Sequence, residues 1–124
     1  MVDAKISAII VEDEQSARER LVRFLQEWPE IDVVAQVKDG LKAVEAINEK
    51  RPDLVFLDVQ IPSLRGIDVL RRIDAPPAII FTTAYDDYAI EAFEVHAVDY
   101  LLKPYSKERF HKAVDRAVRT IGAA

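Results

Sequence analysis

The chain contains no cysteine among its 124 residues. It can therefore form no disulfide, offer no thiolate nucleophile and build no zinc site that depends on cysteine, which fits a reducing compartment. An excess of positive charge is also missing, because 22 acidic residues stand against 17 basic ones and the formal net charge is −5. The domain as a whole then offers no basic surface for a nucleic-acid backbone, and any DNA binding would need another segment.

Long hydrophobic runs are missing as well. Runs such as Ala78 to Phe81 are far shorter than the ~20 residues that span a bilayer, and the N-terminus lacks the pattern of a signal peptide. We expect a cytoplasmic protein that does not contact a membrane. Hydrophobic residues make up 50% of the chain and charged residues 31%, as in an ordinary globular protein, and the length suits one domain over residues 1–124.

Five short apolar runs rich in β-branched residues predict strands. They are Ile6 to Val11, Ile31 to Val37, Asp53 to Leu57, Ala78 to Thr83 and Val98 to Leu102. Several of them are nearly continuous rather than alternating. Such runs indicate burial on both faces, as in a parallel sheet that helices cover.

Helical periodicity fills the intervals between these strands. The predicted helices are one through Trp28 that Pro29 closes, one from a cap at Asp39 to Arg51, one through Ile73 that Pro76 closes, a short one from Tyr88 to Glu94, and one from a cap at Ser106 to Val118. The order is therefore (βα)5, with short connections. It predicts an α/β fold of the flavodoxin-like, doubly wound type, with one parallel sheet in the order 2-1-3-4-5.

Polar residues follow the predicted strands at their carboxyl ends, which is where ligands bind in doubly wound sheets. Three carboxylates, two hydroxyls and one ammonium would share this edge, from Glu12, Asp13, Asp58, Thr82, Thr83 and Lys103. Each of them alone has an ordinary explanation as a helix cap, a β-forming residue or a surface charge. Because all six residues are expected at the same edge of the sheet, the sequence favours a functional site there.

Carboxylates within ~5 Å of one another repel by roughly 3 kcal/mol per pair at an effective dielectric near 20, so a hard cation such as Mg²⁺ is expected among them. Asp58 is best placed as a nucleophile, because a carboxylate can form an aspartyl phosphate without losing a proton. Glu12 and Asp13 would hold the metal. Lys103 would supply counter-charge to a phosphoryl group, and the Thr83 hydroxyl could donate to one of its oxygens.

Four segments together resemble the receiver domain of two-component response regulators. Ile9 to Glu14 resembles the family's acidic pair, and Asp53 to Pro62 followed by Gly66 resembles its phosphoacceptor segment. Thr82 to Ala84 is similar to the segment of the switch hydroxyl, and Tyr100 to Pro104 to the segment of the switch aromatic residue and the lysine. The resemblance covers about residues 6–118. It implies a single receiver domain with that core.

The resemblance also implies a donor and a full metal site. The phosphohistidine of a histidine kinase would phosphorylate Asp58, and Mg²⁺ would be bound by Glu12, Asp13, Asp58 and the main-chain carbonyl of Gln60. The bond between Lys103 and its following proline would be cis, as in most relatives. Glu12 stands where Asp is more frequent in the family, and Gln60 stands where side chains vary widely and could alter the dephosphorylation rate.

For the switch, the resemblance implies that Thr83 moves toward the phosphoryl group and that Tyr100 turns inward behind it. The face of the fourth helix, fifth strand and fifth helix would then be the output and dimer surface. Two readings are open for the charges on it, which could pair across a two-fold axis or form only a solvated rim: Asp86, Asp87, Glu91, Arg116 and Arg119. His96 and His111 are interpreted as ordinary surface or loop residues.

Residues 84–104 resemble the corresponding segment of receiver domains that precede a LytTR-type DNA-binding domain. This resemblance implies a role in transcription regulation. No such domain is present in the 124 residues. We expect the chain to be a piece of a longer regulator, with a stand-alone receiver as the alternative.

Three other functions fit the sequence less well. A Mg²⁺-dependent phosphatase with an aspartyl-phosphate intermediate would need an acid two residues after Asp58, where Gln60 stands. A flavodoxin-like cofactor binder would need a loop that cradles phosphate after the first strand, and Glu12 to Glu14 would repel it. A pure interaction module would not need the acid, hydroxyl and lysine set. The domain is therefore expected to be a phosphoacceptor that assists its own phosphorylation and dephosphorylation, and not an enzyme.

Overall fold

The computed structural model describes residues 5–84 and 97–122. Within them, parallel strands form one sheet in the order β2-β1-β3-β4-β5. The strands are β1 (Ile6–Val11), β2 (Ile31–Val37), β3 (Leu54–Asp58), β4 (Ala78–Thr83) and β5 (Asp99–Leu102). The predicted doubly wound sheet and its strand order are confirmed, although β3 begins and ends one residue later than predicted and β5 begins one residue later.

Two layers of helices cover the sheet. The helices are α1 (Gln15–Leu25), α2 (Gly40–Lys50), α3 (Gly66–Leu70) and the C-terminal helix (Lys107–Gly122). Buried residues of α1 and the C-terminal helix pack on one face of the sheet, and buried residues of α2 and α3 pack on the other. The inner strands β1, β3 and β4 are mostly buried between these layers, which explains why their sequences read as continuous apolar runs. The edge strand β2 instead alternates between exposed and partly buried residues after Ile31.

Two of the predicted helix caps are present. The N–H of Lys42 donates to Asp39 Oδ1 over 2.9 Å at the start of α2. At the start of the C-terminal helix, the N–H of Arg109 donates to Ser106 Oγ over 3.0 Å. Each side chain thereby satisfies one main-chain donor that has no partner inside its helix.

Two helices are shorter than predicted. The pattern of the third extended through Ile73, but α3 ends at Leu70, because the next N–H groups donate to carbonyls only three residues back and that of Asp74 donates to Asn48 Oδ1 of α2 over 2.8 Å. Similarly, α1 ends at Leu25, and the N–H of Trp28 donates to the carbonyl of Leu25 over 2.9 Å. The apolar residues beyond both ends still pack against the core, so periodicity identified packing rather than helix length.

The predicted fourth helix, His96 and the acidic residues Asp86, Asp87 and Glu91 lie outside the described residues. The peptide bond between Lys103 and Pro104 is cis, as the resemblance implied. In the part of the chain that the structure describes, no helix combines the length and apolar character needed to cross a bilayer.

Candidate functional site

The carboxyl ends of the strands bring the predicted site residues together. Glu12 follows β1, Asp58 ends β3 and Lys103 follows β5. Main-chain bonds extend the sheet beyond β1 and β5, since the N–H of Glu12 donates to the carbonyl of Val37 over 3.0 Å and that of Lys103 to the carbonyl of Thr83 over 2.7 Å. The strand alternation therefore continues through the site residues.

That alternation decides which side chains meet. Ile10, Phe56 and Leu101 belong to the core beneath α1 and the C-terminal helix. Side chains two residues apart in a strand point to the same face. Two residues further along these three strands, the same face carries Glu12, Asp58 and Lys103.

Lys103 bridges the two buried carboxylates. Its Nζ lies 2.6 Å from Glu12 Oε1 and 2.9 Å from Asp58 Oδ2. Glu12 is 1% exposed and Asp58 6%. Burial opposes the charged ammonium, but the hydrogen bonds to Glu12 and Asp58 outweigh it, so the pKa of Lys103 is raised above its ordinary value. Lys103 therefore stays protonated between the two acids.

The second oxygen of each buried carboxylate accepts a hydrogen bond from the loop that follows it. The N–H of Glu14 donates to Glu12 Oε2 over 3.1 Å, and the N–H of Gln60 donates to Asp58 Oδ1 over 3.0 Å. Each carboxylate is thus oriented by one charged and one main-chain donor. The conformation of the loop after β3 consequently affects the orientation of Asp58.

Asp13 completes a group that we call the acidic cluster (Glu12, Asp13 and Asp58). One ligand oxygen from each of the three lies within 4.8 Å of the others, and Asp13 is exposed. Lys103 compensates only part of this negative charge. A compact set of carboxylate oxygens with excess negative charge suits a hard divalent cation.

Thr83 and Tyr100 share the opposite face of the sheet. In the pairing of β4 with β5, Phe81 lies beside Tyr100 and Thr83 beside Leu102. Thr83 is buried at 1% exposure, and Tyr100 is partly buried against the core beneath α2 and α3. The structure therefore places them on neighbouring strands and one face, two register positions apart.

Two arginines of α1 support the site and were not singled out from the sequence. Arg18 Nη1 donates to the carbonyl of Glu12 over 2.9 Å, and Arg20 Nη2 donates to the carbonyl of Tyr105 over 3.1 Å. The Arg20 guanidinium also lies 5.7 Å from the centre of the Tyr105 ring. Arg18 and Arg20 thereby hold the loops that follow β1 and β5. The one available signal was their position in the first two turns of a helix that starts beside the acids.

A second buried ion cluster lies at the start of β5. Arg109 binds both oxygens of Asp99, at 3.0 and 2.7 Å, and also donates to the carbonyl of Tyr100 over 3.0 Å. Arg116 Nη1 lies 3.3 Å from Asp99 Oδ2. We call Asp99, Arg109 and Arg116 the Asp99 cluster. It fastens β5 to the C-terminal helix. From the sequence, Arg116 was expected only on a dimer surface or in a solvated rim.

His111 lies away from the acidic cluster. Its ring centroid is 5.6 Å from that of Trp28, and its Nε2 is 3.5 Å from Glu27 Oε1. These contacts join the C-terminal helix to the end of α1. From the sequence, His111 was interpreted as a surface or loop residue, but the structure places it inside the C-terminal helix, partly buried against Trp28.

Comparisons with known proteins identify the family of this site. The response regulator receiver domain family matches residues 8–115. The chain belongs to this family. An uncharacterized response regulatory protein of Vibrio cholerae is 44% identical over 116 residues, 92% of this chain and 49% of that protein. The transcriptional regulatory protein BtsR of Escherichia coli is 43% identical over 113 residues, 90% of this chain and 47% of that protein.

Solved structures agree with the receiver assignment. The response regulatory domain of protein mrkE from Klebsiella pneumoniae is 32% identical with a TM-score of 0.89, and the match covers 96% of this chain and 100% of that one. The receiver domain of AraT, a response regulator from Geobacillus stearothermophilus, is 28% identical with a TM-score of 0.84, over 95% and 96% of the two chains. The protein is thus a receiver domain of two-component signalling. It spans about half the length of the curated relatives it matches.

Proposed function

We propose that Asp58 accepts a phosphoryl group from the phosphohistidine of a histidine kinase. The single observation that carries this is the bridge from Lys103 to Glu12 and Asp58 inside a larger group of carboxylates. A buried acid that ends a strand, beside a fixed ammonium and unbalanced negative charge, is suited to receive a group that brings its own anionic oxygens.

We further propose that Mg²⁺ is held by Glu12, Asp13, Asp58 and the main-chain carbonyl of Gln60. The donor set fits, because its members are all oxygens and the carboxylate oxygens lie within 4.8 Å of one another. When bound, the ion would neutralise phosphoryl oxygens during transfer. The ligands would come from the ends of two adjacent strands, β1 and β3, and from the loop that follows β3.

Transfer at Asp58 requires little from the protein beyond position and charge. A carboxylate oxygen of Asp58 forms a bond to phosphorus while the phosphorus–nitrogen bond of the phosphohistidine breaks, and its electron pair returns to the imidazole. Lys103 is already protonated and within 2.9 Å of Asp58 Oδ2, so its ammonium can follow the developing charge onto the phosphoryl oxygens. The domain thereby assists its own phosphorylation and dephosphorylation without turning over other substrates.

A groove beside Lys103 supports access for a protein donor. Its volume is ≈ 290 Å³, and it is lined by Ser16, Ala17, Arg20, Arg23, Lys103, Pro104 and Tyr105. The groove runs from the first turns of α1 to the loop after β5. A kinase domain that docked there would present its phosphohistidine next to Lys103.

We propose that Thr83 and Tyr100 read the modification. A phosphoryl group on Asp58 would draw the Thr83 hydroxyl toward it, and Tyr100 would turn inward into the space that is vacated. Their common face and adjacent strands support this coupling. Replacement of Tyr100 by Ala should then leave phosphorylation intact but uncouple it from partner binding.

The output is proposed to be a DNA-binding domain of LytTR type elsewhere in a longer, cytoplasmic protein. This is supported by the length of the relatives and by the name of BtsR as a transcriptional regulatory protein. The face formed by the predicted fourth helix, β5 and the C-terminal helix would change on phosphorylation and form a homodimer. Arg119 pairs with Asp115 of its own helix, so this ion pair would have to open before Arg119 could serve the dimer.

The proposal is tested by incubation with Mg²⁺ and acetyl phosphate, followed by intact-mass measurement. We expect one phosphoryl group per wild-type chain and none in Asp58→Asn. Asp53→Asn is the matched control, because Asp53 directly precedes the same strand at its other end and accepts hydrogen bonds from Ser7. A wild-type protein that gains no mass with donor and metal in excess would overturn the proposal. Release of many phosphates per chain from a substrate would favour the phosphatase alternative.

A further inference from the structure

The loop from Val59 to Arg65 connects the proposed acceptor to α3, and its base is fixed. The N–H of Val59 donates to the carbonyl of Thr82 over 3.0 Å, and the N–H of Gly66 donates to the carbonyl of Val59 over 2.8 Å. A Cβ at Gly66 would lie 2.5 Å from the carbonyl oxygen of Asp58, so only glycine allows this closure. The loop therefore leaves the sheet directly beside Asp58.

The tip of the same loop is held by the start of α2. The N–H of Gly40 donates to the carbonyl of Pro62 over 2.9 Å, and the N–H of Leu41 donates to Ser63 Oγ over 3.1 Å. The Ser63 hydroxyl donates in turn to Asp39 Oδ1 over 3.3 Å. We call Asp39, Gly40, Pro62 and Ser63 the loop clamp.

The loop clamp imposes a close and unusual backbone arrangement. A Cβ at Gly40 would lie 2.4 Å from Leu64 Cβ and 2.8 Å from the Leu64 carbonyl oxygen, so the approach of the two segments depends on glycine. Ser63 has a φ of 71°, in the left-handed region that residues other than glycine rarely adopt. Contacts on both sides of Ser63 therefore maintain a conformation that its own preferences oppose.

Gln60 lies between the fixed base and the clamped tip of the loop. Its N–H donates a hydrogen bond to Asp58 Oδ1 over 3.0 Å and so orients this carboxylate. We propose that Asp39 and Ser63 are positioning residues for phosphoryl acceptance, because they hold the loop in the conformation that keeps this hydrogen bond. The inference rests on the proposed function of Asp58. It adds that the start of α2, which belongs to no part of the acidic cluster, determines how the acceptor carboxylate and the main chain of Gln60 are presented.

The test compares variants that open the clamp with variants that preserve it. Ser63→Gly removes the hydroxyl and relieves the left-handed backbone, so it should fold well. Asp39→Ala removes the acceptor of the clamp together with the helix cap. Asp39→Asn and Ser63→Asn keep a side-chain oxygen, and Asn tolerates the left-handed region. Asn48→Ala is the matched control, because it removes a side-chain bond between the other end of α2 and the segment after α3.

Three measurements on each variant of the 124-residue chain separate an effect on the position of Asp58 from an effect on stability. They are the Mg²⁺ affinity without donor by calorimetry, the amide resonance of Gln60 by NMR, and the initial rate of acceptance from acetyl phosphate by mass. We expect Ser63→Gly and Asp39→Ala to bind Mg²⁺ about tenfold more weakly, the size typical of residues that orient metal ligands. Their Gln60 amide should move toward the position of a free amide, and acceptance should slow. The two asparagine variants and Asn48→Ala should resemble the wild type.

Either of two results overturns the inference. One is a Ser63→Gly variant with wild-type Mg²⁺ affinity and an unchanged Gln60 resonance. The other is an equal decline in all variants including Asn48→Ala, which would indicate a loss of stability only. Both results require that the wild type accepts a phosphoryl group and that Asp58→Asn does not. If the wild type accepts no phosphoryl group, or if Asp58→Asn accepts one, the proposed function itself is wrong. Failure of the proposed function is thereby distinguished from failure of this inference.

Discussion

The two ion clusters of the receiver domain each contain a buried carboxylate, and they have opposite charge balance. In the acidic cluster three carboxylates share one ammonium, that of Lys103. In the Asp99 cluster one carboxylate is matched by two guanidiniums, those of Arg109 and Arg116. Both clusters join different strands or helices, and both rely on contacts between charged groups of 2.6 to 3.3 Å. They differ in whether the acid is fully compensated.

We interpret this difference as one between a proposed site for chemistry and a site for stability. Every oxygen of Asp99 is taken by its own chain, so the Asp99 cluster has nothing left to offer a ligand. The acidic cluster keeps negative charge that Lys103 cannot neutralise, and it places an exposed Asp13 at the rim. Folding around an uncompensated charge is unfavourable unless a partner arrives. We therefore expect perturbations of the first cluster to affect phosphorylation, and perturbations of the second to affect stability.

The largest expected effect is the loss of Lys103. Lys103→Met keeps a side chain of similar length but removes the ammonium that faces the acceptor. Acceptance from acetyl phosphate should slow by about a hundredfold or more, the usual result of removing a preorganised donor. The rate is measured by intact mass at saturating Mg²⁺. Lys107→Met is the control, because Lys107 forms an exposed pair with Glu27, and a similar slowing in both variants would contradict the assignment.

The next largest effect is expected at the Asp99 cluster. Asp99→Ala leaves two guanidiniums without their carboxylate and should lower the free energy of unfolding by about 2 kcal/mol, less than for a fully buried pair because both arginines are partly exposed. Urea unfolding followed by Trp28 fluorescence measures this. Acceptance of the phosphoryl group should stay near the wild-type rate.

Asp115→Ala provides the matched control for the Asp99 cluster. Asp115 pairs with Arg119 on the surface of the same helix, where loss of an ion pair changes stability by about 0.5 kcal/mol or less. Equal destabilisation by the two substitutions would mean that burial of Asp99 has no special importance. A strong loss of acceptance in Asp99→Ala would show that the two clusters are not independent.

Of the two clusters, only the acidic cluster could be predicted from the sequence. Glu12, Asp58 and Lys103 each end or follow an apolar strand, and parallel topology alone brings such positions to one edge. Strand boundaries were predictable to within a residue because each strand is a distinct run of mostly apolar residues, whether it is buried, as β3 is, or lies at the edge of the sheet, as β2 does. The sheet order followed from the same pattern.

The Asp99 cluster and the supporting arginines of α1 depend on packing that no local pattern encodes. Arg109 reaches Asp99 across a helix–strand contact, and Arg18 reaches a main-chain carbonyl, which has no sequence signature. The early end of α3 has the same origin, since the N–H of Asp74 finds its acceptor on Asn48 of another helix. Such contacts follow from tertiary structure rather than from periodicity.

A smaller effect should come from Mg²⁺ itself. Because the acidic cluster is under-compensated, a bound divalent cation should stabilise the fold by about 1.4 kcal/mol at a concentration ten times its dissociation constant. Thermal unfolding with and without Mg²⁺ measures the gain. Asp58→Asn should reduce the response, whereas Asp99→Asn should keep it. A wild-type protein whose unfolding is indifferent to Mg²⁺ would contradict the proposed metal site.

The smallest effect concerns acid stability and should arise at Asp99. Burial opposes its charge, but the hydrogen bonds from Arg109 and from the N–H of Tyr100 outweigh it, and the pKa of Asp99 is lowered. A carboxylate with a lowered folded pKa adds stability that is fully present above its unfolded pKa of about 3.9 and is lost as the pH falls through the folded value. Between neutral pH and about pH 5, the difference in unfolding free energy between wild type and Asp99→Asn should therefore stay constant.

Below that range the difference should shrink with each further drop in pH. Urea titrations at a series of pH values, with Asp115→Asn as the exposed control, isolate this term from the carboxylates of the acidic cluster, which are common to all three proteins. A difference that shrinks already at pH 6 would place the titration elsewhere. A difference that persists undiminished to the lowest pH at which the protein folds would mean that Asp99 contributes by packing and not by charge. That outcome would remove the electrostatic contrast between the two clusters and leave only their geometry.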